Sequence, residues 1–460
     1  MTVPSLTQTP YAHELLIAQL AVQRAALVTK RVLATINAAK TNPPSPPSPA
    51  TDSDTSNPNI CASPTSEQEP CASPVSIISQ FLHPHSPTGT SNDPSDPFNT
   101  DLPRRLSLAK PDTSPVTVAD LAAQALLIAA VHAAFPRDQI LGEEDAAALR
   151  KDSELAAQVW ELVATTRLGD EESEGLLGRP EGVREMMGVI ELGSMSSGSD
   201  TDGGSPGDVG SGRVWCLDPI DGTSAYMQGG QYAISLALLE NGKEVVGVLG
   251  CPNWRFEEEM ADGEWKVQEN VLDEEGMGLM LSAVRGQGAT VRPMGSGVLM
   301  EGRRVDRGVG KAVDLRSVHF VDSEKSPATL TEKVKEMAEI TGAAYPGTNL
   351  YSSHMRYAAM VLGGRQFVQL RWPKPQKGPW STWDHAGSQL IYTESGAGIV
   401  TDLSGNPIDF STGNKLSNSW GLITADEKIH GQVLGLVNQM RAAEAERETG
   451  QAGLRRAGTC

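Results

Sequence analysis

The sequence predicts a mixed α/β protein, and three observations support this fold class. Residues 11–38 carry apolar side chains at near-helical spacing, as in an amphipathic helix. The apolar run 214–217 ends abruptly in an acidic turn, and a helix-length segment follows it. Residues 232–249 contain two β-type segments on either side of Asn241-Gly242, a dipeptide typical of a short hairpin turn. We therefore expect a fold in which helices and strands pack in layers.

The composition excludes several classes of protein. The chain has 460 residues and a formal net charge of −19, which argues against nonspecific binding to nucleic acid or to an anionic membrane. It has no basic leader with an apolar core and no apolar run of about 18 residues. Its five cysteines are scattered without a Cys-x-x-Cys pair, which argues against a disulfide framework or a zinc knuckle. We therefore expect a cytoplasmic monomer that has no nucleic-acid or membrane partner.

The chain is long enough for two domains or one large one. Residues 41–101 hold 13 Pro, 12 Ser and no Lys or Arg, so they cannot bury enough apolar surface to offset their chain entropy. We predict a disordered insertion there; its Ser-Pro pairs leave open a phosphoregulatory arm. The predicted segments are a first helix of the catalytic fold (1–40), the insertion (41–101), an α+β part (102–250) with a flexible Gly/Ser-rich loop (193–212), an α/β part (251–442) and a flexible tail (443–460).

The most informative motif is the acidic turn Asp218-Pro-Ile-Asp-Gly-Thr223, which directly follows the apolar run. Two carboxylates three positions apart offer the hard oxygen ligands that Mg²⁺ prefers. The free N–H groups at the start of the next helix offer donors to an anion. An acidic turn that merely caps a helix would have the same sequence, so this motif alone does not decide between the two interpretations.

Three further acidic elements lie far from this turn in the sequence. Asp120 ends Ser-Pro-Val-Thr-Val-Ala-Asp, Glu143 lies in Gly-Glu-Glu, and Asp384 lies in Trp-Asp-His-Ala. Helix capping could explain each of them taken singly. Four such elements together favour a metal site, and without a His or Cys cluster all-oxygen ligation suits Mg²⁺ rather than zinc. The predicted ligands are Glu143, Asp218, Asp221, Asp384 and the Ile220 carbonyl.

In their order and wording the four motifs resemble those of the inositol monophosphatase superfamily, whose members are Mg²⁺-dependent and often lithium-sensitive phosphatases. Within it the likeness is to the 3′(2′),5′-bisphosphate nucleotidases of fungi and plants. Supporting stretches are Gly250-Cys-Pro252 and Ser282-Ala-Val-Arg-Gly-Gln-Gly288, and the resemblance covers residues 11–38 and 105–440 with two interruptions. It implies a layered αβαβα sandwich of the inositol monophosphatase/fructose-bisphosphatase type.

The resemblance also implies roles for individual residues. Asp120 orients the Thr223 hydroxyl, which helps to deprotonate the attacking water, and two or three Mg²⁺ ions occupy the acidic ligands. The N–H groups of Gly222 and Thr223 bind the scissile phosphate, which Asp384 also contacts. The residues around the nucleotide are Ser353, Arg356 and Arg371. A solvated helix charge is the alternative interpretation of Arg356, and His385 is expected to be a packed side chain rather than a ligand.

The implied reaction removes the 3′-phosphate from adenosine 3′,5′-bisphosphate to give AMP, with 3′-phosphoadenylyl sulfate as a further substrate. Two alternatives stay open at this point. One is an inositol mono- or polyphosphate phosphatase with the same metal site. The other is a catalytically silent regulatory protein of the same fold, against which the complete set of acidic residues argues.

Overall fold

The computed structural model describes residues 9–41, 107–109, 115–195, 212–255, 267–306, 313–324 and 326–457. The predicted insertion 41–101, apart from Thr41, and the predicted loop 193–212, apart from its ends, lie outside these residues. Among the helices so described, none combines the length and the apolar character needed to cross a membrane.

The helices and strands follow one another along the chain in mixed order. The helices are α1 Ala12–Thr41, α2 Val118–Ala134, α3 Ala147–Lys151, α4 Ser153–Thr165, α5 Glu171–Gly175, α6 Val183–Met195, α7 Thr223–Gln228, α8 Thr331–Thr341, α9 Ser353–Gly363, α10 Ser388–Glu394 and α11 Glu427–Ala457. Short 3₁₀ turns cover Leu315–Ser317, Thr382–Asp384 and Phe410–Thr412. The strands are β1 Ser107–Ala109, β2 Pro115–Thr117, β3 Gln139–Gly142, β4 Arg213–Asp221, β5 Ala233–Glu240, β6 Lys243–Cys251, β7 Leu279–Val284, β8 Gly288–Pro293, β9 Arg303–Val305, β10 His319–Asp322, β11 Thr348–Asn349, β12 Phe367–Arg371, β13 Ile399–Thr401 and β14 Leu422–Ala425.

Two large sheets organise the described part of the chain. The first has seven strands in the order β3-β4-β5-β6-β7-β8-β9, and the second has five in the order β11-β10-β12-β14-β13. In the first sheet β3 and β4 are parallel, and the remaining pairs are antiparallel. This sheet continues past residue 250, the predicted boundary between the α+β part and the α/β part, and ends with β9. A division of the chain by sheets therefore falls between residues 305 and 319.

Three apolar cores hold together a stack of five layers, and the middle layer of helices lies inside the second core. One core lies between the seven-stranded sheet and a helical layer that includes α1 and α2. The second fills the space between the two sheets, where α9 and α10 lie. The third lies between the five-stranded sheet and the helices α8 and α11. The predicted αβαβα sandwich is therefore confirmed.

Strand β4 shows why an apolar run in the sequence becomes a central strand. Its side chains alternate between the two faces of the sheet. Trp215 and Leu217 enter the core beneath α1 and α2, whereas Val214 and Cys216 enter the core between the sheets. Because both faces are covered, the strand is apolar at every position of the run rather than at every second one.

Most local predictions agree with the structure. The predicted helix 11–38 is α1, and the predicted hairpin joins β5 to β6 through Asn241 and Gly242, whose φ values of 50° and 71° suit a type I′ turn. The C-terminal end differs from the prediction, because α11 runs to Ala457 through most of the predicted flexible tail. Alanine, glutamate and arginine, which are frequent there, are strong helix formers.

Candidate active site

The carboxyl ends of two neighbouring strands bring the acidic motifs together. Because β3 and β4 are parallel, their carboxyl ends meet at one edge of the sheet, and Glu143 follows β3 directly. Asp218 and Asp221 lie at the end of β4, where the pairing with β5 contains a bulge. The two aspartates are three residues apart, whereas the β5 residues paired with them are two residues apart. This bulge places both carboxylates of the turn at the same edge of the sheet.

Asp384 reaches this edge from the C-terminal half of the chain. It ends the 3₁₀ turn Thr382–Asp384, which packs against β4. Carboxylate oxygens of Asp218, Asp221 and Asp384 lie within 4.8 Å of one another. Glu143 lies beside this group, where its carboxylate acts on Asp218. We call these four residues the acidic cluster. Helix capping does not explain Asp384, because the residue that precedes α10 is Gly387.

The electrostatics of the acidic cluster favour a bound cation. Burial, followed by the neighbouring Glu143 carboxylate, raises the pKa of Asp218 well above its usual range. Burial and the carboxylates of Asp221 and Glu143 raise the pKa of Asp384 to about 6. Four buried or half-buried carboxylates repel one another until a positive charge lies between them. Their all-oxygen donor set fits a hard divalent ion such as Mg²⁺.

The Ile220 carbonyl lies between the two aspartates of the β4 turn. The Ile220 N–H donates to Asp218 Oδ1 at 3.1 Å, which closes a tight local turn. The Ile220 carbonyl oxygen accepts a hydrogen bond from Thr223 Oγ1 at 3.0 Å. The predicted backbone ligand therefore lies beside the predicted catalytic hydroxyl.

Asp120 serves two purposes with its two oxygens. Its Oδ2 accepts hydrogen bonds from the N–H of Thr117 at 2.8 Å and from Thr117 Oγ1 at 2.6 Å. Thr117 Oγ1 accepts in turn from the Asp120 N–H, which completes a capping box at the start of α2. Its Oδ1 lies 3.4 Å from Thr223 Oγ1. The capping interpretation and the functional interpretation of this residue are thus compatible, because each uses a different oxygen.

Asp221 is held by two donors that sequence reasoning missed. Ser352 Oγ donates to Asp221 Oδ2 at 2.5 Å, and the backbone N–H of His354 donates to the same oxygen at 2.6 Å. Ser352 is also the N-cap of α9, where its side chain accepts from the Met355 N–H. A pair of serines at the start of an apolar helix is a capping signal in the sequence. That signal could not show that a carboxylate 131 residues earlier binds the same helix end.

The three predicted nucleotide-contacting residues also lie together, and we call them the arginine cluster. Arg356 Nη2 donates to Ser353 Oγ at 2.9 Å, and Arg371 Nη1 donates to the same oxygen at 3.4 Å. Arg356 Nη1 also donates to the carbonyls of Leu350 and Tyr351, and the side chain is only 3% exposed. The alternative interpretation of Arg356 as a solvated helix charge is therefore wrong.

Arg371 retains donors for a ligand. Its guanidinium carbon lies 4.2 Å from the centre of the Trp380 ring, which covers one face of the group. Among the residues that the structure describes, neither Arg356 nor Arg371 has a carboxylate within ion-pair distance. Burial lowers the pKa of both, that of Arg356 to about 10. A guanidinium is not deprotonated in a protein at neutral pH, so both groups are cations. The described carboxylates act on the two guanidinium groups only from beyond ion-pair distance, so this adjacent pair of buried cations favours an anionic ligand.

His385 is a packed side chain, as expected from the sequence. Its Nδ1 lies 3.2 Å from the Tyr357 hydroxyl, and its Nε2 lies 3.3 Å from Arg371 Nη1. Burial, followed by the Arg371 charge, lowers its pKa well below the usual range, so the ring is neutral. It contributes to the wall of the arginine cluster rather than to the acidic cluster.

Comparison with known proteins identifies the family. Residues 191–442 match the inositol monophosphatase family. A 3′(2′),5′-bisphosphate nucleotidase of Emericella nidulans is 34% identical over 73% of this chain and 90% of its own length. The protein of the same name from Schizosaccharomyces pombe is 34% identical over 71% of this chain and 85% of its own length, and that from Oryza sativa is 32% identical over 72% and 85%.

Solved structures give a more distant likeness. The Thermotoga maritima IMPase is 21% identical over 72% of this chain and 85% of its own, with a TM-score of 0.42. The assignment to a family rests on the sequence matches, which confirm the resemblance carried by the four acidic motifs. The chain therefore belongs to the inositol monophosphatase family of metal-dependent phosphatases and is itself a phosphatase.

Proposed function

We propose that this enzyme removes the 3′-phosphate of adenosine 3′,5′-bisphosphate to give AMP, with Mg²⁺ held by the acidic cluster. The observation that carries the proposal is the arginine cluster beside the acidic cluster. Ser352 donates to Asp221, and the next residue, Ser353, accepts from Arg371, so the two clusters border one site. A substrate that bears one phosphate at the metals and a second anionic group nearby matches this arrangement.

The hydrogen bonds support a separate role for each residue in the proposed reaction. Mg²⁺, when bound, supplies charge neutralisation at phosphorus. Thr223 Oγ1 lies 3.0 Å from the Ile220 carbonyl oxygen and 3.4 Å from Asp120 Oδ1. In the proposed reaction it turns its hydrogen from Ile220 to Asp120 Oδ1 and passes that proton on as it accepts one from the attacking water. The N–H groups of Gly222 and Thr223 are the proposed donors to the scissile phosphate. Ser352 and the His354 N–H keep the Asp221 carboxylate in place.

The substrate proposal gives Arg371 and Arg356 different tasks. The Arg356 Nη atoms already donate to Leu350, Tyr351 and Ser353, so its main task is to orient Ser353 and the loop before α9. Among the residues that the structure describes, Arg371 donates to neighbouring side chains only through Nη1, and its remaining donors can bind the retained 5′-phosphate or the base. The nucleotidase names of the relatives support the same substrate class. 3′-Phosphoadenylyl sulfate has the same two anionic ends and is proposed as a second substrate.

The deciding experiment is a phosphate-release panel with the full chain. Adenosine 3′,5′-bisphosphate, 3′-phosphoadenylyl sulfate, inositol 1-phosphate and inositol 1,4-bisphosphate are compared in Mg²⁺ and in excess chelator. We expect the adenosine compounds to have the highest kcat/KM, the chelator to abolish turnover, and lithium to inhibit. Higher kcat/KM for an inositol phosphate would overturn the nucleotidase assignment. Full activity in chelator would overturn the metal assignment.

The proposed cytoplasmic location and monomeric state are tested by cell fractionation and by light scattering.

A further inference from the structure

His354 links the two segments that carry Asp221 and Asp384. It lies in the first turn of α9 and is completely buried. Its backbone N–H donates to Asp221 Oδ2 at 2.6 Å. Its ring contacts the other segment through Nε2, 2.8 Å from the Trp383 carbonyl oxygen, and through Nδ1, 2.7 Å from Ser388 Oγ. Trp383 directly precedes Asp384, and Ser388 is the first residue of α10.

The partners of the ring determine its tautomer. A carbonyl oxygen can only accept, so Nε2 must carry the hydrogen that is donated to Trp383. Nδ1 is then an acceptor for the Ser388 hydroxyl at 2.7 Å, a shorter contact than the 3.2 Å between Ser388 Oγ and the His385 carbonyl oxygen. Burial lowers the pKa of His354 to about 4, which agrees with a neutral ring. The ring therefore supplies one donor and one acceptor, in fixed positions, to the two ends of the segment that contains Asp384.

The contact of the His354 ring with Trp383 lies next to the acidic cluster. Without a cation its carboxylates repel one another, and Asp384 is the member that lies outside the ends of the neighbouring strands β3 and β4. On the far side of the segment that contains Asp384, Glu244 Oε1 accepts from the N–H groups of Gly387 and Leu390, which fixes the start of α10 but not Trp383. The His354 ring holds the residue next to Asp384 itself.

We infer that His354 is a positioning residue that holds Asp384 against Asp221 and so keeps the metal site assembled before the metal binds. This inference rests on the proposed metal-dependent function. A group outside the ligand set that orients a ligand typically changes metal affinity about 10- to 100-fold when it is removed. The role requires one donor and one acceptor rather than a charge.

This requirement predicts which substitutions are tolerated. In His354→Gln the amide still offers an N–H donor and a carbonyl acceptor. In His354→Leu both hydrogen bonds are lost while the volume stays similar. Ser388→Ala removes the donor to Nδ1 and leaves the Trp383 contact in place, so it should have a smaller effect. His430→Leu is the matched control, because His430 is a buried histidine that bonds to Thr401, away from the acidic cluster.

The test measures binding of Mg²⁺, and of Mn²⁺ as a spectroscopic probe, by calorimetry and electron paramagnetic resonance, and the Mg²⁺ concentration for half-maximal activity. His354→Leu should weaken metal binding about 10- to 100-fold, with the KM for substrate at saturating metal much less affected. His354→Gln should restore most of the affinity. His430→Leu should lower the melting temperature without changing the metal constants.

Unchanged metal affinity in His354→Leu, or an equal loss in His430→Leu, would overturn the inference. Should His354→Leu fail to fold, Ser388→Ala and the ¹⁵N spectrum of the wild-type imidazoles still test it. A signal from His354 as the Nδ1–H tautomer would contradict the assigned geometry. A wild-type enzyme that binds no divalent metal would instead overturn the proposed function, so the two failures can be distinguished.

Discussion

The Thr223 hydroxyl lies 3.4 Å from Asp120 Oδ1, although 103 residues separate them in the sequence. This distance is long for a hydrogen bond between a hydroxyl and a carboxylate, which is commonly about 2.7–2.8 Å. Asp120 is fixed at the start of α2 by its capping box, and Thr223 starts α7, so both positions depend on helix ends. We expect the contact to shorten when substrate is bound, as catalytic hydrogen bonds often do.

Thr223→Ala should lower kcat about 10²- to 10⁴-fold, the contribution typical of a positioned proton acceptor. Metal binding should persist, because the acidic cluster is untouched. Thr223→Ser keeps the hydroxyl and is the matched control. Steady-state kinetics and calorimetric titration with Mg²⁺ separate the two effects. Near-normal kcat in Thr223→Ala would remove Thr223 from the mechanism.

Asp221→Asn should reduce Mg²⁺ affinity by more than about 100-fold, beyond the effect of losing a group that only orients a ligand. The asparagine carbonyl can still accept from Ser352 and His354, so the start of α9 should remain intact. Removal of one buried charge should leave the melting temperature of the metal-free protein unchanged or higher. Asp314→Asn, at an exposed ion pair with Arg316, is the control for charge alone. Tight Mg²⁺ binding by Asp221→Asn would contradict its assignment as a ligand.

The acidic cluster predicts how metal-free stability depends on pH. Asp384 has a pKa of about 6 in the folded protein, raised by burial and by neighbouring carboxylates. Its unfolded pKa is about 3.9, so between about pH 4 and 6 the folded state binds more protons than the unfolded state. The free energy of unfolding should therefore fall as pH rises through this window. Urea melts in chelator should show this slope in wild type and a shallower one in Asp384→Asn.

Metal binding should show the opposite trend with pH. Mg²⁺ must displace the protons held by the acidic cluster, so its affinity should decrease as pH falls below about 6. Calorimetry in two buffers with different ionisation enthalpies should reveal proton release on binding. Equal heats in both buffers at pH 6 would show that the carboxylates are already ionised.

Arg371→Ala should raise the KM for adenosine 3′,5′-bisphosphate more than it lowers kcat, because the contact is remote from the scissile bond. The loss of one charge-assisted hydrogen bond costs about 1.5–3 kcal/mol, or roughly ten- to hundredfold in affinity. Arg371→Lys should recover little of this, because lysine lacks the planar group that stacks on Trp380.

Arg356→Ala should also raise that KM, and it should lower the melting temperature as well, because Leu350, Tyr351 and Ser353 lose their donor. Comparing the KM and the melting temperature of the two alanine variants separates an effect on substrate binding from an effect on the stability of the fold. An equal decrease in melting temperature in Arg356→Ala and Arg371→Ala would contradict this distinction.

Particular residues show what sequence patterns can and cannot predict. The β4 run and the Asn241-Gly242 turn were predicted because hydrophobic periodicity and turn chemistry are local. The acidic motifs were found because metal ligands require few residue types. The bonds from Ser352 and His354 to Asp221 could not be predicted, since they depend on how the start of α9 meets the end of β4. The burial of Arg356 could not be predicted either, because an arginine in a helix gives no sign in the sequence of whether it is exposed to solvent or buried.

The sequence by itself determined the layered fold class, the family resemblance and the choice of the four acidic residues. Each of these depends only on the type, order and spacing of residues. The tertiary structure decided which residues hold those carboxylates in place. It alone shows that Asp120 divides its oxygens between a helix cap and Thr223, and that one neutral imidazole joins the segments of Asp221 and Asp384. The physical reason is that these hydrogen bonds connect residues far apart in the chain, where only the packing of layers sets distance and direction.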